Sequence, residues 1–189
     1  MSALKLLNDR RSVPSRQLSD PGPDAAELQA LLQAAVRAPD HGKLVPWRFL
    51  LIRGDARQRL GDLLARTTLA RQPDAAPSVV EKDRERFNFA PLIVTVIARI
   101  DEAHSKVPAQ EQLLASGCVA YNLLLGAQQL GYGAQWLTGW AAYDTTIRTA
   151  LGVKDEERIV GFIHIGTPRE PAPERLRPDV AELVSEWRG

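Results

Sequence analysis

Residues 116–140 read SGCVAYNLLLGAQQLGYGAQWLTGW, and this stretch decides how the chain is layered. Its first part continues a run from about Ala109 to Leu130 in which Ala115, Ser116, Gly117, Ala120 and Gly126 are small. That composition predicts a long helix packed closely in the middle of the molecule. Its second part, Ala134 to Thr138, is short, apolar and preceded by glycines, so it predicts a strand. A helix of this kind needs a sheet to cover, and apolar strands lie on either side of it.

Working outward, Leu92 to Ala98 (LIVTVIA) is β-branched and apolar, and Ile159 to Ile165 (IVGFIHI) repeats that character near the end. Trp47 to Ile52 (WRFLLI), bounded by Pro46 and Gly54, reads as a strand covered on both faces and therefore as a central one. Helices alternate with these strands. Ser2 to Asn8 forms a short one. Asp24 with Glu27 makes a capping-box start for a helix carrying Leu28, Leu31, Leu32 and Ala35, which should end near Ala38 because Pro39 follows. Asp55 with Gln58 and Ser78 with Glu81 suggest two further capped starts, and a helix from Asp144 to Leu151 is closed by Gly152. The pattern is a mostly buried sheet with helices on both sides, and an ordinary doubly wound fold is compatible with it.

Bulk properties exclude several classes. The 189 residues suit one domain, 1–189, by the prior of about 100–200 residues per domain. With 24 basic and 23 acidic residues, net charge +1 and 44% hydrophobic content, nothing marks a nucleic-acid or membrane-surface protein. The longest apolar run, Leu113 to Ala127, is broken by Ser116, Asn122 and glycines, short of the ~20 apolar residues that span a bilayer. One cysteine, Cys118, precludes an intrachain disulfide, and the charged N-terminus MSALKLLNDRRS is no secretory leader. A cytoplasmic protein is expected. No strand leads into GxGxxG or a P-loop; LGYGAQ at Leu130 offers two glycines at a helix end.

Five segments together resemble the FMN-dependent NAD(P)H nitroreductases, in their short-chain branch. They are Arg10-Arg11-Ser12, RAPDHGKLVPWRF from Arg37, KDRERFNFAPLIVTVIA from Lys82, the Ser116–Trp140 stretch, and IVGFIHIGTP from Ile159. They cover nearly the whole chain in order. The resemblance implies an α+β, nitroreductase-like fold with a central mixed sheet flanked by helices. It also implies a homodimer with FMN sites at its interface, and hydride transfer from NADH or NADPH through FMN to nitroaromatics, quinones or similar electron-poor small molecules.

FMN presents a phosphate, a hydroxylated chain and a ring whose pyrimidine end gains charge on reduction, so its site needs cations, hydroxyl partners and ring donors. By resemblance, Arg10, Arg11 and Ser12 grip the phosphate and ribityl groups. The residue types alone leave another reading open, since a basic pair after a helix also complements its dipole. Arg37 and His41 correspond to the helix exit that reaches the partner subunit's flavin; the alternative is a local turn pair of Asp40 and His41 with Arg37 on a solvated face. Many relatives carry Gln before Pro-Trp where this chain has Val45. Trp136, Leu137 and Thr138, leading into Gly139, match the segment lying against the ring, where backbone N–H groups serve N5 and glycine permits close approach. Arg175 and Arg177 match a late basic pair for the phosphate, with a solvated tail as the alternative.

Other features carry less. Cys118 reads as a packing residue, since no base lies nearby in sequence. Scattered His41, His104 and His164 give no metal-ligand spacing, and no nucleophile elbow is visible. The flavin itself supplies the chemistry, with no protein acid required. A flavin-binding protein without turnover, used for storage or sensing, and a plain interaction module are the competing readings.

Overall fold

The computed structural model describes residues 3–189, so Ser2, expected to open the first helix, lies outside the described residues. Six α-helices are present among them, beside short 3-10 turns: α1 (Ala3–Asp9), α2 (Ala25–Ala35), α3 (Asp55–Arg71), α4 (Pro77–Glu85), α5 (Ala109–Gln129) and α6 (Thr145–Ala150). Five strands, β1 (Leu18–Ser19), β2 (Trp47–Arg53), β3 (Leu92–Arg99), β4 (Gly133–Leu137) and β5 (Glu157–Pro168), make one sheet.

The central strand is β5, not β2. It pairs with β3 on one side and with β4 over Gly166 to Phe162, while β1 joins its end at Thr167 and Pro168. β2 pairs only with β3 and forms an edge. Its apolar character comes from cover above and below: Trp47, Phe49 and Leu51 face one core cluster, Leu50 and Ile52 the other. Every pairing is antiparallel, so the expected mixed sheet is corrected to an antiparallel one. Each crossover returns the chain in the opposite direction, which suits α+β rather than a doubly wound architecture.

One face carries α2 and α5, with Leu31, Val119, Ala120, Leu123 and Ala127 fully enclosed against Val94, Val96 and Ile163. Close approach is possible because Gly126 faces Leu31, where an added Cβ would stand 2.5 Å from its Cδ1. The other face carries α3 and α6 over Ile93, Ile97 and Phe162, and α4 packs on α3 at Gly61, where a Cβ would overlap the Arg84 carbonyl. At one end of the sheet Arg48 on β2 forks onto the buried Glu157 of β5, at 2.6 and 2.7 Å. That hydrogen-bonded fork holds the Glu157 carboxyl down at about 2.

Helix ends show which local signals acted. At α2 the Asp24–Glu27 capping box forms in both directions. The helix stops at Ala35 instead of near Ala38, because Val36 closes it with a tighter turn and Asn122 donates to the Ala35 carbonyl at 3.1 Å. The boxes expected at Asp55 and Ser78 do not form: Gly54 precedes α3 without a side-chain cap, and Ala76 with Pro77 at the first position opens α4. No helix among the described residues is long and apolar enough to cross a membrane.

Candidate functional site

The two ends of α5 organise the polar residues. At its C-terminal end Gln128 accepts from the Arg11 backbone N–H at 3.1 Å and donates to the Asp9 carbonyl at 3.0 Å, fixing the loop that follows α1. That loop then runs along β4: Val13 N–H donates to the Ala134 carbonyl at 3.0 Å, and Ser15 N–H to the Gln135 side chain at 2.6 Å. Arg10, Arg11 and Ser12 thus lie beside the strand that leads to Trp136, Leu137, Thr138 and Gly139. A cleft of about 450 Å³ opens there between Arg11, Val13, Tyr132 and Pro168 to Ala172.

The cations of this end are not equivalent. Arg10 reaches only the Ser12 hydroxyl, at 3.2 Å, and ends no ion pair among the described residues. Arg11 pairs with Glu174, which also takes Arg177 at 3.3 Å. The Arg175 backbone N–H, followed by the Arg11 and Arg177 guanidiniums, holds the Glu174 carboxyl below its ordinary value. Arg177 therefore joins the early basic segment through a carboxylate. Glu174 carried no signal in the sequence, because the link spans the length of the chain.

Trp136 is half-buried, and its indole N–H donates across to the Val160 carbonyl at 3.0 Å. Gly161 makes that crossing possible, since any Cβ there would overlap the indole. The strand ends at Leu137, and Gly139 follows with a φ of 65°, a positive value that glycine adopts without strain.

Arg37 and His41 sit elsewhere. Arg37 is exposed just past α2, and His41 Nδ1 meets Glu111, at the N-terminal end of α5, at 2.7 Å. Asp40 makes no pair with His41. Its carboxylate accepts from the Leu44 and Val45 backbone N–H groups at 3.2 and 2.9 Å, clamping a turn in which Lys43 and Val45 have φ of 55° and 50°. A β-branched residue with positive φ is strained. From Glu111 to Gln128 is 17 residues, about 25 Å at 1.5 Å per helical residue. Within one chain the structure brings Arg10, Arg11, Ser12, Arg177 and β4 to one end of α5 and His41 to the other, while Arg37 lies two residues past Ala35, whose carbonyl meets Asn122.

Between those ends α5 turns outward a seam of Glu111, Leu114, Cys118, Tyr121 and Leu125, spaced three and four residues apart. Leu114 is 60% exposed and Tyr121 37%. Cys118, expected to be a packing residue, is exposed on this seam.

Residues 7–167, which hold the antiparallel sheet, its two helical layers and the basic loop along β4, match the model of the nitroreductase family, and the chain belongs to it. It is 36% identical over 186 residues to the Escherichia coli (strain K12) protein named "Putative NAD(P)H nitroreductase YdjA", covering 98% of this chain and 99% of that one. A nitroreductase-like family protein from Bacillus cereus superposes with a TM-score of 0.83 at 26% identity, over 100% of this chain and 97% of its own. A Desulfovibrio desulfuricans structure, described as "a putative nitroreductase in complex with fmn", has a TM-score of 0.76 at 25% identity, over 100% and 98%.

Proposed function

We propose that the protein is an FMN-dependent oxidoreductase working as a homodimer, with each flavin held by both copies. The observation that carries the two-copy site is the separation of about 25 Å along α5 between its halves. An antiparallel α5 pair about a two-fold axis brings the Gln128 end of one copy to the Glu111 end of the other. The seam from Leu114 to Leu125, exposed at Leu114, Cys118 and Tyr121 and half-buried at Leu125, has the three-and-four spacing such a pair buries.

The residues present fit the cofactor. Arg10, engaged by no carboxylate among the described residues, offers its charge to the phosphate, with Arg11 and Ser12 beside it. Arg175 and Arg177 supply further cations at that end, once the phosphate displaces Glu174 from Arg11 and Arg177. Trp136, Leu137, Thr138 and Gly139 present their edge and backbone N–H groups to the ring, and Arg37 and His41 approach from the partner copy. FMN, when bound, supplies the redox chemistry: it accepts hydride from NADH or NADPH and passes it to a nitroaromatic, quinone or similar acceptor. The relatives' names and the FMN-bound neighbour support the donor and the cofactor for this chain.

Donor and acceptor use the same flavin face in turn. Initial rates at varied donor and acceptor should give parallel double-reciprocal lines, as a ping-pong sequence requires. Lines that intersect would contradict the shared position. Anaerobic addition of NADH or NADPH should bleach the flavin, and a stable yellow protein that resists both would favour a flavin store over an enzyme.

A further inference from the structure

Asp83, on α4, is 5% exposed and accepts three hydrogen bonds. Thr68 donates at 2.7 Å, Arg86 at 2.9 Å and the Trp140 indole N–H at 3.3 Å. Trp140 directly follows Gly139, in the turn after β4. The Arg86 guanidinium closes on Gly139, where an added Cβ would stand 2.6 Å from its Nη1. Asp83 is buried and the Arg86 side chain is 26% exposed, so the pair is partly desolvated and a modest source of stability. What this one does is specific: it braces a planar cation against the backbone of Gly139, which has no side chain of its own.

We propose that Arg86 is a positioning residue for the flavin ring. Held by Asp83, it sets where the Thr138 and Gly139 backbone groups lie and places a positive charge behind them. The inference rests on the FMN reading above. A guanidinium at that place favours the negative charge that the ring gains on reduction, and its rigid fork fixes geometry in a way a flexible ammonium does not. The sequence gives no hint of this role, since Arg86 reads as one charge among many in KDRERFNF.

The test uses FMN-loaded wild-type protein, Arg86→Met and Arg86→Lys. FMN affinity is read by fluorescence titration, midpoint potential by dye equilibration, and turnover with NADH or NADPH by initial rates. Arg86→Met should bind FMN within about threefold of wild type, because the phosphate grip lies elsewhere. It should shift the bound flavin's visible spectrum, make its potential more negative, and lower kcat about 10- to 100-fold with little change in KM. Arg86→Lys should restore the potential and only part of the rate. It also keeps a cation beside Asp83, so it carries the test if Arg86→Met does not fold. Unchanged spectrum, potential and kcat in the variants that fold, with only a lower melting temperature, would overturn the proposal. Wild-type protein that binds no FMN would instead remove the flavin reading, and this inference with it.

Discussion

Acidification from pH 7 to pH 4 should remove about 3 kcal/mol of folding stability through one residue, His164, the equivalent of some 2.5 pH units at 1.36 kcal/mol each. His164 lies on β5 between Ile93 and Gln135, is 0% exposed, and stacks on Phe87 with ring centroids 5.5 Å apart. Neither ring nitrogen has a hydrogen-bond partner among the described residues. Burial, with the Arg86 guanidinium adding to it, pushes its pKa from 6.5 down to about 4. The unfolded chain therefore binds this proton more tightly than the folded one. The contribution is fully present above pH 6.5, falls as the pH drops below that value, and is gone once the pH has passed through about 4. Glu157, held at about 2, adds its own loss at lower pH, below the ordinary carboxylate value. Urea unfolding at pH 7 and pH 4 of wild type and His164→Leu checks this: the stability difference between the two pH values should shrink by about 3 kcal/mol in the variant. Equal losses in both proteins would contradict it.

Arg10→Ala should weaken FMN binding by about 1.5–3 kcal/mol, the range for hydrogen bonds to charged groups, or roughly 10- to 150-fold. The fold should survive, since among the described residues the Arg10 guanidinium hydrogen-bonds only to the Ser12 hydroxyl, and the loop is anchored through the Arg11 backbone and Gln128. Arg11→Ala should cost less, because Arg11 is already paired with Glu174 and a phosphate must displace that carboxylate. Titration of apoprotein with FMN, followed by flavin fluorescence, measures both. An Arg10→Ala protein with wild-type affinity would remove Arg10 from the site.

Much of this arrangement can be read from the sequence, and the failures have definite causes. The apolar run WRFLLI correctly reports cover on both faces of β2. It does not report lateral position, because an edge strand between two helical layers is as apolar as a central one. Asp24–Glu27, Asp55–Gln58 and Ser78–Glu81 have matching letters, yet only the first makes a box; Gly54 and Pro77 settle the other two starts through the backbone. Cys118 and Tyr121 look like interior residues of an apolar helix. Both are exposed, so part of the α5 pattern lies on the surface of the chain. The basic loop and the β4 segment are legible as motifs. The Glu174 bridge and the Asp83–Arg86 brace are not, because they join residues whose proximity only the fold creates.

If each flavin site is shared between two copies, as proposed, mixing subunits of two variants restores it. Arg10→Ala and Arg37→Ala proteins, each made flavin-deficient by its substitution, are unfolded together and refolded. In a mixed dimer with two-fold symmetry, one site collects both substitutions and the other neither. Random pairing then restores about a quarter of all sites, with FMN and NAD(P)H-dependent turnover returning in proportion. If both arginines served the same copy's flavin, every mixed site would keep one substitution. Mixed dimers shown by affinity-tag copurification to be present, yet without flavin or turnover, would contradict the shared site.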